Sequence, residues 1–142
     1  MSELIVGDPI LPETQVGPIA RADLLDQLEK QVIDSLRLGA KLLLGGKRLA
    51  KPGSYFAPTV ITNLKKGMPA YDEELFGPVA SVIIVKNENE ALKVANDSRF
   101  GLGASIWSSD IENAEKLAGK VEAGFVAIND MVNQIRDCLL VV

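Results

Sequence analysis

The second half of the chain alternates strand-like apolar runs with helix-start signals, and this alternation most constrains the fold. Val79 to Lys86 is a continuous, largely β-branched run without polar alternation, which is typical of a strand covered on both faces. Two further runs, Ala104–Trp107 and Phe125–Ile128, follow at distances that leave room for one helix each. We therefore predict an α/β fold: a βαβαβ pattern with a mostly parallel sheet, right-handed crossovers and helices packed on the sheet.

Both intervening helices carry a start signal in the sequence. Asn87 with Glu90, and Ser109 with Glu112, have the spacing of a capping box, in which two side chains satisfy backbone N–H groups of the first helical turn. Trp107 and Phe125 lie within strand-like runs, so we predict that both side chains belong to the core.

The first half predicts one long helix and two short strands. The helix is expected from Arg21 to Leu38, because apolar residues recur there at spacings of three and four, and Gly39 stands at the position of a C-terminal cap. The members of this apolar stripe are Leu25, Leu28, Val32 and Leu36. A strand is expected over Lys41–Leu44. Phe56–Ile61 is expected to be an edge or irregular strand because it contains a proline.

Composition excludes several kinds of chemistry and partner. The 142 residues contain no histidine, so neither a Ser-His-Asp triad nor a histidine-based zinc or iron site can form within them. A net charge of −4, a pI of about 4.9 and no long basic run argue against nucleic acid and against a polybasic membrane surface. The apolar runs are too short to span a membrane, and the N-terminus lacks a signal-peptide pattern. With Cys138 as the single cysteine, these features predict a cytoplasmic protein.

One segment, Tyr71–Val79, places two carboxylates and an aromatic ring on a Gly-Pro turn that leads into the first strand of the βαβαβ pattern. Together with other pieces in the same order along the chain, it resembles the aldehyde dehydrogenase superfamily. Those pieces are Val6-Gly-Asp-Pro9, Gly17-Pro18, Gly39-Ala40 with Gly45-Gly46, Pro58-Thr-Val60, Glu73–Val79, Ala95–Ala104 and Ala123–Asn129. The amino-acid sequences of residues 69–81 and 95–103 are most similar to those of the succinate-semialdehyde dehydrogenase branch.

The resemblance implies the later part of the family's catalytic domain, over residues 1–133, followed by a divergent tail over residues 134–142. It also implies two cofactor-binding residues. Glu74 matches the carboxylate that accepts hydrogen bonds from the nicotinamide ribose, and Phe76 matches the aromatic residue beside the nicotinamide ring. The family's catalytic cysteine, general-base glutamate, oxyanion asparagine and Rossmann-like cofactor domain belong to segments upstream of this match. No residue of the present sequence inherits a catalytic or metal-binding role.

The resemblance thus predicts a fragment of an enzyme that uses NAD or NADP, inactive alone and with weak or no cofactor binding by itself. The alternative is a non-enzymatic interaction module that docks on a full-length paralogue or on an upstream half, and we expect self-association or a related aldehyde dehydrogenase chain as partner. A stand-alone enzyme using Cys138 with Glu73 or Glu74 is disfavoured, because nothing near Cys138 in the sequence would lower the pKa of its thiol. The simplest alternative for the Glu73-Glu74 pair is solvated charge, and for Phe76 it is a core position.

Overall fold

The computed structural model describes residues 1–131, which divide into two compact units, the second beginning at Val85. The first unit contains α1 (Ala22–Arg37), β1 (Lys41–Leu44), β2 (Thr59–Thr62), α2 (Pro69–Asp72) and β3 (Val79–Val82). The second contains α3 (Glu88–Asn96), β4 (Ala104–Ile106), α4 (Ile111–Ala118) and β5 (Val126–Ile128). The predicted α/β class is confirmed.

The long helix forms where the apolar stripe predicted it. Leu25, Leu28 and Val32 are buried on its inner face, where they pack with Phe56 as one core cluster. The helix ends in a Schellman motif. Gly39 has φ +106° and donates from its N–H to the Leu36 carbonyl at 3.0 Å, and the next N–H bonds the Ser35 carbonyl at 3.0 Å. The predicted glycine cap is confirmed.

The first unit holds a mixed three-stranded sheet in the order β1-β2-β3. β2 pairs antiparallel with β1 and parallel with β3, and Thr59 lies opposite Val79. An edge or irregular strand was expected over Phe56–Ile61. The edge position was wrong, because β2 lies between β1 and β3 and begins only after Pro58, but its pairing with β1 is irregular, with a register shift between Leu42 and Leu44. The missing N–H of Pro58 therefore removes no hydrogen bond from the strand pairing.

β3 is shorter and less covered than its sequence predicts. It ends at Val82, where its partner β2 also ends at Thr62, so the residues beyond have no strand beside them in the sheet. Ile84 is 87 % exposed. The prediction of a strand covered on both faces from Val79 to Lys86 is therefore wrong for the described chain.

In the second unit, β4 and β5 pair in parallel, with α4 between them along the chain. The alternation of strands and helices was predicted correctly. The prediction that the strands form one mostly parallel sheet was wrong. β3 belongs to the three-stranded sheet, whereas β4 and β5 form a two-stranded one. Trp107 is 66 % exposed, and Phe125 is also exposed. The prediction that both are core residues was wrong, because these short strands bury little beyond Ala127.

One of the two predicted helix caps is confirmed and the other is displaced. Asn87 accepts a hydrogen bond from the Glu90 N–H at 3.0 Å, and so caps α3. At α4 the cap is Asp110, which accepts from the Asn113 N–H at 3.0 Å, and not Ser109. Asp and Ser are equally good caps, so adjacent candidates cannot be ranked from sequence alone.

No helix within residues 1–131 combines the length and the apolar character needed to cross a membrane.

Candidate functional site

A tight turn between α2 and β3 carries both residues predicted to bind a cofactor. The Gly77 N–H bonds the Leu75 carbonyl at 3.0 Å, and the Val79 N–H bonds the Gly77 carbonyl at 2.8 Å. At the other end of the turn, the Glu73 N–H closes α2 on the Pro69 carbonyl at 2.9 Å. Three short-range hydrogen bonds therefore define the backbone from residue 73 to residue 79.

The apolar side of this turn packs directly on α1. A Cβ at Gly77 would lie 2.4 Å from Leu28 Cδ2 and 3.5 Å from Ile19 Cδ1. Leu75 packs against both core clusters of the first unit. With any larger residue the buried Leu28 side chain would have to shift, which gives the glycine of the Gly-Pro element a packing role.

Two buried polar side chains of α1 hold the same segment by hydrogen bonds. Gln31 Nε2 donates to Glu73 Oε2 at 2.8 Å and to the Glu74 carbonyl at 3.2 Å. One helical turn further, Ser35 Oγ accepts from the Ala70 N–H at 2.9 Å and donates to the Gln31 carbonyl at 2.7 Å. The turn and α2 are therefore fixed to α1 by polar contacts as well as by apolar packing.

Glu74 and Phe76 line one shallow cleft. Its other lining residues come from α1: Leu24, Gln27, Leu28 and Gln31. Its volume is about 20 Å³, little more than one water molecule occupies. The structure thus brings the two predicted residues together in a small cleft beside α1.

Both predicted residues are available to a ligand. Phe76 is 65 % exposed, so it is not a core residue. Glu74 is exposed, and none of the residues described in the structure forms a hydrogen bond or ion pair with its carboxylate. Its neighbour Glu73, by contrast, is bonded to Gln31.

Sequence reasoning missed the contribution of α1 to this cleft. Gln31 and Ser35 were not singled out, although both occupy positions on the apolar stripe, three and seven residues after Leu28. Polar residues at such positions must find hydrogen-bond partners inside the protein. That signal was present in the sequence, but the identity of the partners was not.

Charged residues near α1 form ion pairs. Lys30 hydrogen-bonds Asp34 at 2.6 Å, and this bond, helped by Arg37, lowers the pKa of the Asp34 carboxyl. Arg48 bonds Glu29 at 2.8 Å and Asp26 at 2.6 Å, which raises the pKa of its guanidinium. The Arg48 contacts attach the segment after β1 to α1.

Metal ligands and the single cysteine give no further candidate. Within residues 1–131, no three His, Cys, Asp or Glu side chains are grouped so that they could hold a metal ion. Cys138 and the predicted tail at 134–142 lie outside the described residues.

A comparison with protein families decides the ancestry. The model of the aldehyde dehydrogenase family matches residues 1–139. The chain belongs to the aldehyde dehydrogenase family. The family predicted from the motifs is therefore confirmed.

Among aldehyde dehydrogenases, the chain is similar to enzymes named for succinate semialdehyde. It is 47 % identical over 131 residues to the NADP⁺ succinate-semialdehyde dehydrogenase 1 of Mycobacterium ulcerans, covering 92 % of this chain and 29 % of the relative. It is 48 % identical over 126 residues to the NAD(P)⁺ enzyme of Escherichia coli K12, covering 89 % of this chain and 27 % of the relative. The resemblance to this branch is thus borne out.

Solved structures of this family share the fold. The succinic semialdehyde dehydrogenase of Streptococcus pyogenes, in complex with NADP⁺, superimposes with a TM-score of 0.91 at 38 % identity, over 96 % of this chain and 30 % of that one. Betaine aldehyde dehydrogenase of Staphylococcus aureus, in complex with NAD⁺, gives a TM-score of 0.87 at 34 % identity, over 93 % and 27 %. The chain therefore spans less than a third of the length of these relatives.

Proposed function

We propose that these residues supply the nicotinamide-ribose contact of an NAD(P)-dependent aldehyde dehydrogenase that oxidises an aldehyde like succinate semialdehyde to its carboxylic acid. The observation that carries this proposal is the cleft shared by Glu74 and Phe76, in which the Glu74 carboxylate has no partner among the described residues. The names of the similar enzymes support the substrate class and the cofactor type.

Each cleft residue has a distinct task in this proposal. An ionised carboxylate can accept hydrogen bonds from both hydroxyls of a vicinal diol, so Glu74 would fix the ribose. The exposed ring of Phe76 would limit the positions of the nicotinamide ring beside it. When bound, the cofactor supplies the acceptor for the hydride that leaves the aldehyde.

The cleft alone contacts only a small part of a dinucleotide. Ligand sites usually bury most of a ligand within several hundred cubic ångströms, whereas this cleft measures about 20 Å³. We therefore propose that the 142 residues bind NAD or NADP only weakly by themselves, so that binding is detected by titration at high ligand concentration. In the family, the catalytic thiolate, the general base and the oxyanion asparagine belong to segments upstream of the part that residues 1–133 match. We therefore also propose that the 142 residues alone show no turnover.

The test uses the half of the cofactor that the cleft would contact. Nicotinamide mononucleotide is titrated into the ¹⁵N-labelled chain, and the Phe76 and Glu74 resonances are followed. Glu74→Gln should lower the affinity for the mononucleotide by about tenfold. It should leave the affinity for nicotinamide, which has no ribose, unchanged. Phe76→Ala should lower the affinity for both ligands. Equal mononucleotide binding by wild type and Glu74→Gln would overturn the ribose contact.

A parallel assay measures NADH or NADPH formation from succinic semialdehyde by the same chain. No turnover is expected with either cofactor. Turnover that disappears in Cys138→Ala would show a minimal enzyme instead.

A second function, a non-enzymatic docking module, is favoured by the apolar side chains that the described chain leaves exposed. They include Ile10 and Ile84 in the first unit and Leu102 and Trp107 in the second, and exposed apolar surface often marks an interaction site. The proposed partners are a second copy, a full-length paralogue or a separately encoded upstream half. A molar mass that falls on dilution, measured by light scattering, would support self-association, and co-purification would support the others.

A further inference from the structure

The inner face of α1 carries a buried glutamine, Gln31. Gln31 is only 6 % exposed, and burying an amide without hydrogen bonds costs about 1–3 kcal/mol in proteins. Its side-chain nitrogen donates two hydrogen bonds, to Glu73 Oε2 at 2.8 Å and to the Glu74 carbonyl at 3.2 Å. Both acceptors lie on the turn that carries the candidate site, more than forty residues along the chain from the helix.

The two adjacent glutamates therefore differ in what their carboxylates can do. The Glu73 carboxylate accepts from a buried donor, so it is committed to the protein. The Glu74 carboxylate has no partner among the described residues, whereas its backbone carbonyl is held by the same Gln31 amide group. One NH₂ group thus fixes the backbone of the second glutamate and occupies the side chain of the first.

We infer that Gln31 and Glu73 form a positioning pair that holds Glu74 ready for the ribose diol. Gln31 lines the cleft, but in this scheme its NH₂ group is occupied by the turn and not by the ligand. A carboxylate that must meet two hydroxyls gains from a fixed backbone, since a site that is loose by a fraction of an ångström loses its geometry. The effect on binding rests on the proposed function of Glu74, but the effect on the turn does not.

The chain offers a matched control one helical turn away. Ser35 is also buried on α1 and also bonds the segment before β3, but its partner there is the Ala70 N–H on α2, and its other hydrogen bond goes to the backbone carbonyl of Gln31, not to the Gln31 side chain. Ser35→Ala removes a buried polar contact from the same helix without touching Glu73 or Glu74. It separates a general loss of stability from a loss of positioning.

The first experiment needs no ligand. In ¹H–¹⁵N spectra, Gln31→Leu and Glu73→Ala should shift the Glu74, Leu75 and Phe76 resonances and speed their amide hydrogen exchange. Ser35→Ala should instead act around Ala70. Glu73 is exposed, so its variants keep the fold even if Gln31→Leu does not. Glu73→Gln keeps an acceptor oxygen for Gln31 and should resemble the wild type.

The second experiment titrates nicotinamide mononucleotide into the same variants at a temperature where all are folded. Gln31→Leu and Glu73→Ala should weaken binding by roughly fivefold to tenfold, as for loss of a hydrogen bond to a charged group. Ser35→Ala should lower the denaturation midpoint without changing the affinity.

The outcomes separate the two proposals. Unchanged Glu74–Phe76 resonances in both Gln31→Leu and Glu73→Ala would overturn the positioning pair. The positioning pair would also be overturned if Gln31→Leu and Glu73→Ala bound the mononucleotide as tightly as the wild type. That result would leave the proposed ribose contact of Glu74 unaffected. If Gln31→Leu and Glu73→Ala shift the Glu74–Phe76 resonances but the wild type binds no mononucleotide, the positioning of Glu74 would be supported and its proposed function overturned.

Discussion

Gly77 and Leu28 lie so close that a single added carbon would clash, because a Cβ on Gly77 would stand 2.4 Å from Leu28 Cδ2. Leu28 is among the most buried side chains of the first unit. The turn that carries Glu74 therefore packs directly on the core, and a larger residue at position 77 would require the buried Leu28 side chain to move.

Gly77→Ala should lower the free energy of unfolding by about 1–3 kcal/mol, as other overpacking substitutions do. Urea denaturation measures the loss. Gly119→Ala is the control, because the Gly119 backbone is helical with φ −66° and an added Cβ meets nothing closer than 3.9 Å. It should be neutral or slightly stabilising. Strong coupling with Leu28→Ala in a double-mutant cycle would confirm the contact, and simple additivity would contradict it.

Glu74→Gln and Phe76→Ala should change the free energy of unfolding by less than about 0.5 kcal/mol, because both side chains are exposed. Thermal and urea unfolding measure this. Leu28→Ala, on the floor of the same cleft, should cost about 2–5 kcal/mol. A large loss in the Glu74 variant would show that its carboxylate has a structural partner.

Asp110→Ala should destabilise α4 by about 1 kcal/mol, because Asp110 caps the free N–H of Asn113. Ser109→Ala should have little effect, although the sequence favoured Ser109 as the cap. Hydrogen exchange across residues 111–118 distinguishes the two. Greater exchange in the Ser109 variant than in the Asp110 variant would restore the sequence-based assignment.

Acid should weaken the first unit partly through Asp34, whose carboxyl pKa is lowered by the hydrogen bond from Lys30. A carboxyl with a lowered folded-state pKa contributes stability above its unfolded pKa and loses it as the pH falls through the folded value. Asp34→Asn should therefore flatten the acid side of the stability profile. The difference should shrink in high salt, because the pair faces solvent. A salt-independent difference would point to a role other than this pair.

The elements were predictable where one local signal dominates. The stripe of α1 and the glycine after it define both the buried face and the end of the helix. The Asn87 cap was found in the same way, since no competing cap residue stands beside it.

The errors arose where the answer depends on residues distant in sequence. Nothing local says that β3 stops when its partner ends at Thr62, or that Trp107 lies outside the core. The site was half predictable for the same reason. Glu74 and Phe76 stand out in a motif. The role of Gln31 depends on its hydrogen bonds to a turn that follows β1 and β2 in the sequence, so no local pattern predicts it.

The distance in sequence between α1 and the turn affects how the protein folds. The cleft joins a helix to a turn more than forty residues later, so it is a long-range feature whose closure must wait for the intervening strands. During synthesis from the N-terminus, α1 leaves the ribosome with a buried-type glutamine that has no acceptor yet. The cleft between α1 and the turn is then completed only when the turn docks, so a nascent chain interrupted before Glu73 would carry the helix of the cleft without the cleft.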